Sequence, residues 1–399
     1  SKSILEQMIK NLINISDDQV VLDYLAQQYF HPQNIELIKS GHRQDVVIKL
    51  RLYEYLISLC LLDFKIFDFI VNDKHQLLSQ FFYDCLHSDS DVLFLMNCIE
   101  LLTLLTEKLY TLDYLQNKTT IMDHFLRLLM ENDDDLLKPA FIKLFGCYIR
   151  NYMQLISEQT TMDTTTPSST NIQLFNRFIP FLFDILLLSD MQKTSLTFIS
   201  LDTIGFIGKT FVGKRYMVNN METKFFDCIQ KLIQMIRSYQ SDIRVRSMLC
   251  LADLFYLKEN ERNQFGWEVT EKIYTHCNHT YALLTLLTQI AKQPFIDLRL
   301  ASHKVFLNMT YSKWAIDAMS NEPGFIEYLL NRQSEREKPG KESKYQIIKS
   351  LCSQENEELQ AHIQNTVGNV TYLKFRRYAN EGAFFVQPES NVAFDGAND

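Results

Sequence analysis

Glycine and proline are scarce: the 399-residue chain holds 11 glycines and 8 prolines, about 5% together where average usage is nearer 12%. A β-sandwich or a doubly wound α/β enzyme needs many glycine- or proline-punctuated turns, so both are excluded in favour of helices joined by short polar loops. Long hydrophobic runs are also lacking. The most apolar stretch, 178–188, is interrupted by Pro180 and Asp184 and falls short of the ~20 residues of a membrane span. Basic excess is missing too, since 40 Lys+Arg against 48 Asp+Glu give a net charge of −8. A chain without a basic field is unsuited to broad binding of nucleic acid or anionic membrane, while basic partner surfaces remain compatible.

The eight cysteines, Cys60, Cys85, Cys98, Cys147, Cys228, Cys250, Cys277 and Cys352, stand singly among mostly apolar neighbours with no C-x-x-C pair. This reads as reduced, intracellular thiols that fill cores. A first residue other than methionine is expected of a trimmed start.

What is present is a repeat. Apolar helices preceded by an acidic or polar cap begin at Asp45, Asp91, Asp135, Ser195, Asp242 and Asp297, at spacings of 46, 44, 60, 47 and 55 residues. Setting aside a Ser/Thr-rich insertion at 157–170 and about nine residues of the polar loop 258–267 brings the long intervals to about 46. First helices fit between, at 77–86, 121–130, 174–187, 225–238 and 281–291, each apolar at i, i+3, i+4 spacing. Two helices per unit of about 45 residues is the HEAT and armadillo pattern. Stacking buries the faces that one pair cannot hide, so the chain is expected to be all-α, a curved α-solenoid over 1–330. An inward side chain such as Leu249 should cost about 2–5 kcal/mol on truncation to alanine.

Beyond the array, 331–344 (NRQSEREKPGKESK) reads as a charged linker, 345–388 as a helix with an extended capping arm, and 389–399 as a flexible tail. Arg244, Arg246 and Arg299 on second helices either tie repeats together or touch a partner. The arm places Tyr372, Phe375, Tyr378, Phe384 and Phe385 among Lys374, Arg376 and Arg377, suited to capping the last repeat or to anchoring a partner. The candidate partner contacts are Arg244, Arg246, Arg299, Tyr372, Arg376, Tyr378 and Phe385.

Enzymatic signals fail on chemistry. Gly208 to Lys214 imitates a phosphate loop but has Arg215 where the magnesium-ligating Ser or Thr belongs, and it follows a helical pattern instead of a strand. Gly208 and Gly213 read as a helix end and a turn, with Lys214 and Arg215 facing solvent. His276, Cys277 and His279 match no common zinc spacing. No catalytic, cofactor or metal residue is therefore expected.

The run QPFIDLRLASHKVFLNM from Gln293, then Trp314, EPGFIEYLLNR from Glu322, KESKYQIIKSL and NVTYLKFRRYANEGAFFVQPES, with Leu201–Gly205 and Gly213–Arg215, resembles the 26S proteasome non-ATPase regulatory subunit 5 family. The resemblance implies an assembly chaperone of the proteasome base. Such a protein binds the C-terminal domain of a base ATPase, regulatory ATPase subunit 7, with further base subunits as additional partners. It covers the surface by which that ATPase docks on the 20S core and leaves before the particle is complete. It would work in the cytoplasm, with the nucleus as a second compartment, and make no bonds itself. The alternatives are another helical-repeat adaptor, such as a transport receptor or permanent scaffold subunit, and a cryptic nucleotide enzyme.

Overall fold

The computed structural model describes residues 32–39, 46–72, 74–87, 91–131, 134–159, 169–188, 194–238, 240–279 and 282–386, and these contain helices and no strand. The chain divides into two compact units, 1–225 and 226–399, a partition inside the stretch that the sequence pattern treats as one array. The first unit comprises α1 (Pro32–Lys39), α2 (Val46–Cys60), α3 (Phe64–Val71), α4 (Leu77–Leu86), α5 (Val92–Leu105), α6 (Leu109–Asn117), α7 (Ile121–Glu131), α8 (Leu137–Gln159), α9 (Ser169–Leu187), α10 (Thr194–Gly208) and α11 (Phe211–Asn220), and α12 (Glu222–Ser238) starts at its end. The second comprises α13 (Ser241–Phe255), α14 (Gln264–Cys277), α15 (Leu283–Ala291), α16 (Ile296–Met309), α17 (Lys313–Asn321), α18 (Phe325–Leu330), α19 (Lys338–Cys352), α20 (Glu357–Val367) and α21 (Asn369–Glu381).

The fold is an α-solenoid of HEAT/armadillo-like repeats. In the first unit each second helix packs on the next, α2 on α5, α5 on α8 and α8 on α10; in the second, α13 packs on α16, α16 on α19 and α19 on α21. Aromatic side chains fill the first core, with Tyr53 against Phe81 at 4.9 Å, Phe125 against Phe141 at 5.0 Å and Phe145 against Phe178 at 5.3 Å. Tilted and edge-on pairs at such distances add to simple burial. In the second core Met248, Leu251, Phe255, Val305, Phe306, Ile347 and Leu351 are buried. Six of the cysteines are buried as free thiols, as the sequence suggested.

The acidic cap positions act in two ways. Asp91 accepts the Phe94 amide at 3.0 Å, and Asp134, one residue before the expected Asp135, accepts the amides of Leu136 and Leu137. Asp242 and Asp297 lie inside the first turn, after Gln240 and Phe295 at the cap positions, where their charge meets the positive end of the helix dipole. Asp45 lies outside the described residues.

Several expectations need correction. A further helix follows many second helices (α3, α6, α11, α14 and α17), short in every case but α14, so a unit has three helices more often than two. The loop 258–267 is a 3-10 turn, Glu259–Glu261, followed by α14, and Trp267 is buried with its indole N–H donating to the Tyr311 carbonyl at 3.0 Å. Leu249 points outward at 42% exposure, while its neighbours Met248 and Leu251 are fully buried. The supposed linker 331–344 is a 3-10 turn, Arg332–Ser334, and the start of α19; the arm's Tyr372 to Tyr378 lie on helix α21. Most of the 157–170 insertion and the whole tail 389–399 lie outside the described residues.

The false phosphate loop is a tight corner. Helices α10 and α11 meet there at 106°, and Thr210 caps α11 by accepting the Gly213 amide at 3.1 Å. A Cβ at Gly213 would stand 2.2 Å from the Ile207 carbonyl oxygen, so glycine permits the approach. Lys214, expected in solvent, is fully buried, and Arg215 is half-buried with its guanidinium 5.7 Å from the Phe211 ring. Among the described residues no single helix is long and apolar enough to cross a membrane.

Candidate functional site

The charged turn between α18 and α19 is folded inward. The Glu335 side chain is 1% exposed and receives Arg299 Nε at 3.2 Å, while Arg299 Nη2 reaches Glu337 at 3.0 Å. Arg299 also donates to the carbonyls of Gln293 and Pro294, at 3.2 and 2.9 Å. A buried carboxylate is tolerated when its charge is met and its lone pairs are filled. Gly340 makes room for it, because a Cβ there would lie 2.1 Å from Glu335 Oε2.

Three further groups complete the cluster. Tyr328 donates to the Ala291 carbonyl at 3.2 Å and lies 3.5 Å from Glu335 Oε1; His303 Nε2 is 2.6 Å from the same hydroxyl, and its Nδ1 is 2.7 Å from Ser343 Oγ. Burial, then the cations of Lys344 and Arg299, hold the His303 imidazolium down to about 3, leaving the ring neutral. Lys344 donates to the Asn331 carbonyl and to Ser334 Oγ, both at 2.6 Å, with its ammonium 4.5 Å from the Tyr328 ring centre. Burial pulls Lys344 down to about 7 against the opposing pull of Glu335, and Arg332 adds to the lowering. Burial and the neighbouring Glu335 push the Tyr328 phenol well up.

Arg332 carries the turn over to the last helix. Its guanidinium lies 3.6 Å from the Tyr378 ring centre and 5.3 Å from that of Phe385. It donates to the carbonyls of Gly382 and Tyr378 and to Glu381, at 2.7, 3.1 and 3.0 Å. The planar fork and the stacked ring are what arginine offers and lysine does not. Chemically, the whole arrangement is a polar lock tying α16, α19 and α21 together.

This geometry sorts the residues expected to touch a partner. Arg299 and Tyr378 are corrected: at 7% and 5% exposure they are committed to the lock and face the interior. Half-buried Arg244 donates to the Ile236 carbonyl at 2.8 Å, closing the end of α12, and burial lowers its pKa. Arg246 is half-buried on α13. Tyr372 is half-buried and accepts from Gln360 at 3.3 Å. Phe385 is half-buried against Arg332, and Arg376 is exposed on α21. Glu335, His303, Tyr328, Lys344 and Arg332 escaped the sequence reading; the available signal was the alternation of charge and glycine in 331–344 opposite Arg299.

His276 and His279 lie with ring centres 4.8 Å apart, His276 stacked on Phe226 at 3.5 Å, beside buried Cys277. Among the described residues no three His, Cys, Asp or Glu side chains gather as a metal site.

A family model described as proteasome non-ATPase 26S subunit matches residues 2–398. The chain is similar to the 26S proteasome non-ATPase regulatory subunit 5 of Bos taurus, 26% identical over 399 residues that make 99% of this chain and 72% of the relative. Its Homo sapiens counterpart is 25% identical over the same shares, and that of Drosophila melanogaster is 22% identical over 76% of this chain and 55% of the relative. Among solved structures, a designed armadillo repeat protein superposes at a TM-score of 0.39 and 11% identity, covering 74% of this chain and 99% of that chain. With a helical-repeat body and a family match spanning residues 2–398, the chain belongs to the proteasome non-ATPase 26S subunit family.

Proposed function

We propose that this protein is an assembly chaperone of the proteasome base. It binds the C-terminal domain of one base ATPase, regulatory ATPase subunit 7, and covers the surface by which that ATPase docks on the 20S core. Its work is binding, without bond-making, and it acts in the cytoplasm and secondarily in the nucleus. The observation that carries the reading is family membership across residues 2–398, on a repeat body of the kind that supplies extended binding faces. Occlusion needs no elaborate switch: the chaperone-bound and core-bound states of the ATPase only have to exclude one another.

The test uses the full chain, the separately produced ATPase C-terminal domain and purified 20S core. Binding to the domain, with the core and the chaperone competing for it, is the expected result. Stable recovery of the chain in intact 26S particles, or failure to bind any base ATPase, would remove this reading in favour of a permanent scaffold subunit or an unrelated adaptor.

A further inference from the structure

Two neighbouring hollows of about 390 and 510 Å³ lie along α2, α5 and α8 and share Asn97 and Glu100. They are lined by two carboxylates, Glu54 and Glu100, and two cations, Arg51 and Lys143, so their charge selects no partner. The outer face of α21 differs in this respect.

Helix α21 buries Phe375 and Tyr378 on one side and leaves Val370, Leu373, Lys374, Arg376 and Arg377 exposed on the other. Val370, Leu373, Lys374 and Arg377 stand at i, i+3, i+4 and i+7, which places them on one stripe along about 10 Å of helix. Val370 is 71% and Leu373 62% exposed, and the segment that follows leaves Phe384 and Val386 at 51% and 78%. Single exposed apolar residues need no explanation, whereas Val370 and Leu373, one turn apart and flanked by exposed cations, make a small apolar patch on α21 that a partner can cover.

The charge on that stripe is opposite in sign to that of the chain, which carries −8 in all. The helix has one carboxylate, Glu381, and that group is held by Arg332 at 3.0 Å and Arg377 at 2.8 Å. Lys374 and Arg376 therefore set the sign of the exposed face. A complementary surface presents apolar residues one helical turn apart, flanked by Asp or Glu.

We infer that the outer face of α21 is a docking surface for an amphipathic acidic segment of another protein, with Val370 and Leu373 receiving its apolar anchors and Lys374 and Arg376 its carboxylates. This surface stands apart from the chaperone reading, because it is argued from α21 alone and would hold in an adaptor of any other kind.

The test titrates the full-length protein against a fluorescein-labelled 15-residue helical peptide with leucines one turn apart flanked by glutamates, with lysines replacing the glutamates in the control. Fluorescence anisotropy should show binding of the glutamate peptide in preference to the control. Leu373→Glu, and separately Lys374→Glu with Arg376→Glu, should each weaken it at least tenfold. Raising salt from 50 to 500 mM should weaken the wild type markedly and the charge-reversed variant little. All three substituted side chains are exposed, and unchanged thermal melts would establish that the variants fold. Equal binding of both peptides, no binding at all, or indifference to both variants overturns the proposal. So does a concentration-dependent dimer that Leu373→Glu abolishes, because the face would then belong to a second copy of this chain.

Discussion

The guanidinium of Arg332 lies 3.6 Å from the centre of the Tyr378 ring, 46 residues further along the chain, and bonds the carbonyl of that same tyrosine at 3.1 Å. One side chain thus fixes both the ring and the backbone of α21. Arg332→Lys keeps the charge and loses the planar fork, so a loss of about 1–3 kcal/mol is expected in the local stability of α21. Hydrogen exchange of the α21 amides should accelerate about fivefold or more while the first unit is unaffected. Unchanged protection in α21 would mean the lock does not hold it.

Arg299 and Gly340 act on the same buried carboxylate. Arg299→Met leaves Glu335 without its cation, and Gly340→Ala pushes a methyl group into the space that the carboxylate occupies. Each alone should destabilise by about 2–4 kcal/mol. The double variant should cost less than the sum by about 1 kcal/mol or more, because a displaced Glu335 is lost only once. Strict additivity in urea unfolding would separate the two residues.

His303 makes the lock acid-sensitive. Its folded pKa is held down to about 3, against about 6.5 for an unfolded histidine. As pH falls from about 6.5 towards 3 the unfolded chain takes up a proton that the folded one refuses, so stability present above 6.5 is lost on acidification. His303→Gln should flatten the pH dependence of the urea midpoint between pH 4.5 and 7; identical slopes in both proteins would refute the assignment.

Lys344 acts in the alkaline range. Held down to about 7 when folded and near 10.5 when unfolded, it binds fewer protons in the folded state throughout that interval. Stability should therefore climb with pH above about 7, and the full cost of the buried ammonium is present below it. Lys344→Met should lack this rise between pH 7 and 9.5, so subtracting its profile from that of the wild type isolates the Lys344 contribution. The window stops short of the Tyr328 phenol, whose raised pKa pulls the other way at higher pH.

Leu251 and Leu249 test the packing register. Leu251→Ala should cost about 2–5 kcal/mol and Leu249→Ala less than about 1 kcal/mol, since one side chain is wholly buried and the other 42% exposed. Comparable losses would mean α13 is rotated from the orientation described.

The contrast between those two leucines also shows how far the sequence could be read. Period and apolar spacing place α4 at Leu77–Leu86, residue for residue, and put the starts of the second helices within two residues of where they lie, although α8 runs on to Gln159. Rotation about the helix axis is harder to read, because α13 is apolar on much of its circumference and Met248, Leu249 and Leu251 look alike until neighbours are present. The short helices α6 and α17 hide for a related reason: each is too brief for a periodic stripe to stand out. In the candidate site, arginines at 244, 246 and 299 were visible as chemistry but not as geometry. What decides whether an arginine meets a partner or its own chain is a carboxylate 36 residues away at Glu335, held in a turn whose composition imitates a solvated linker.

The joint between α16 and α19 is sealed in part by an arginine shared between two glutamates, in an array whose other contacts are sealed chiefly by leucine, isoleucine and phenylalanine. Urea and guanidinium chloride loosen both kinds of seal, and with the Glu335 side chain 1% exposed, added electrolyte screens the ion pair little while the joint is closed. The C-terminal helices thus part only when water is admitted to their joint, and dissolved ions act on that pair only after the opening.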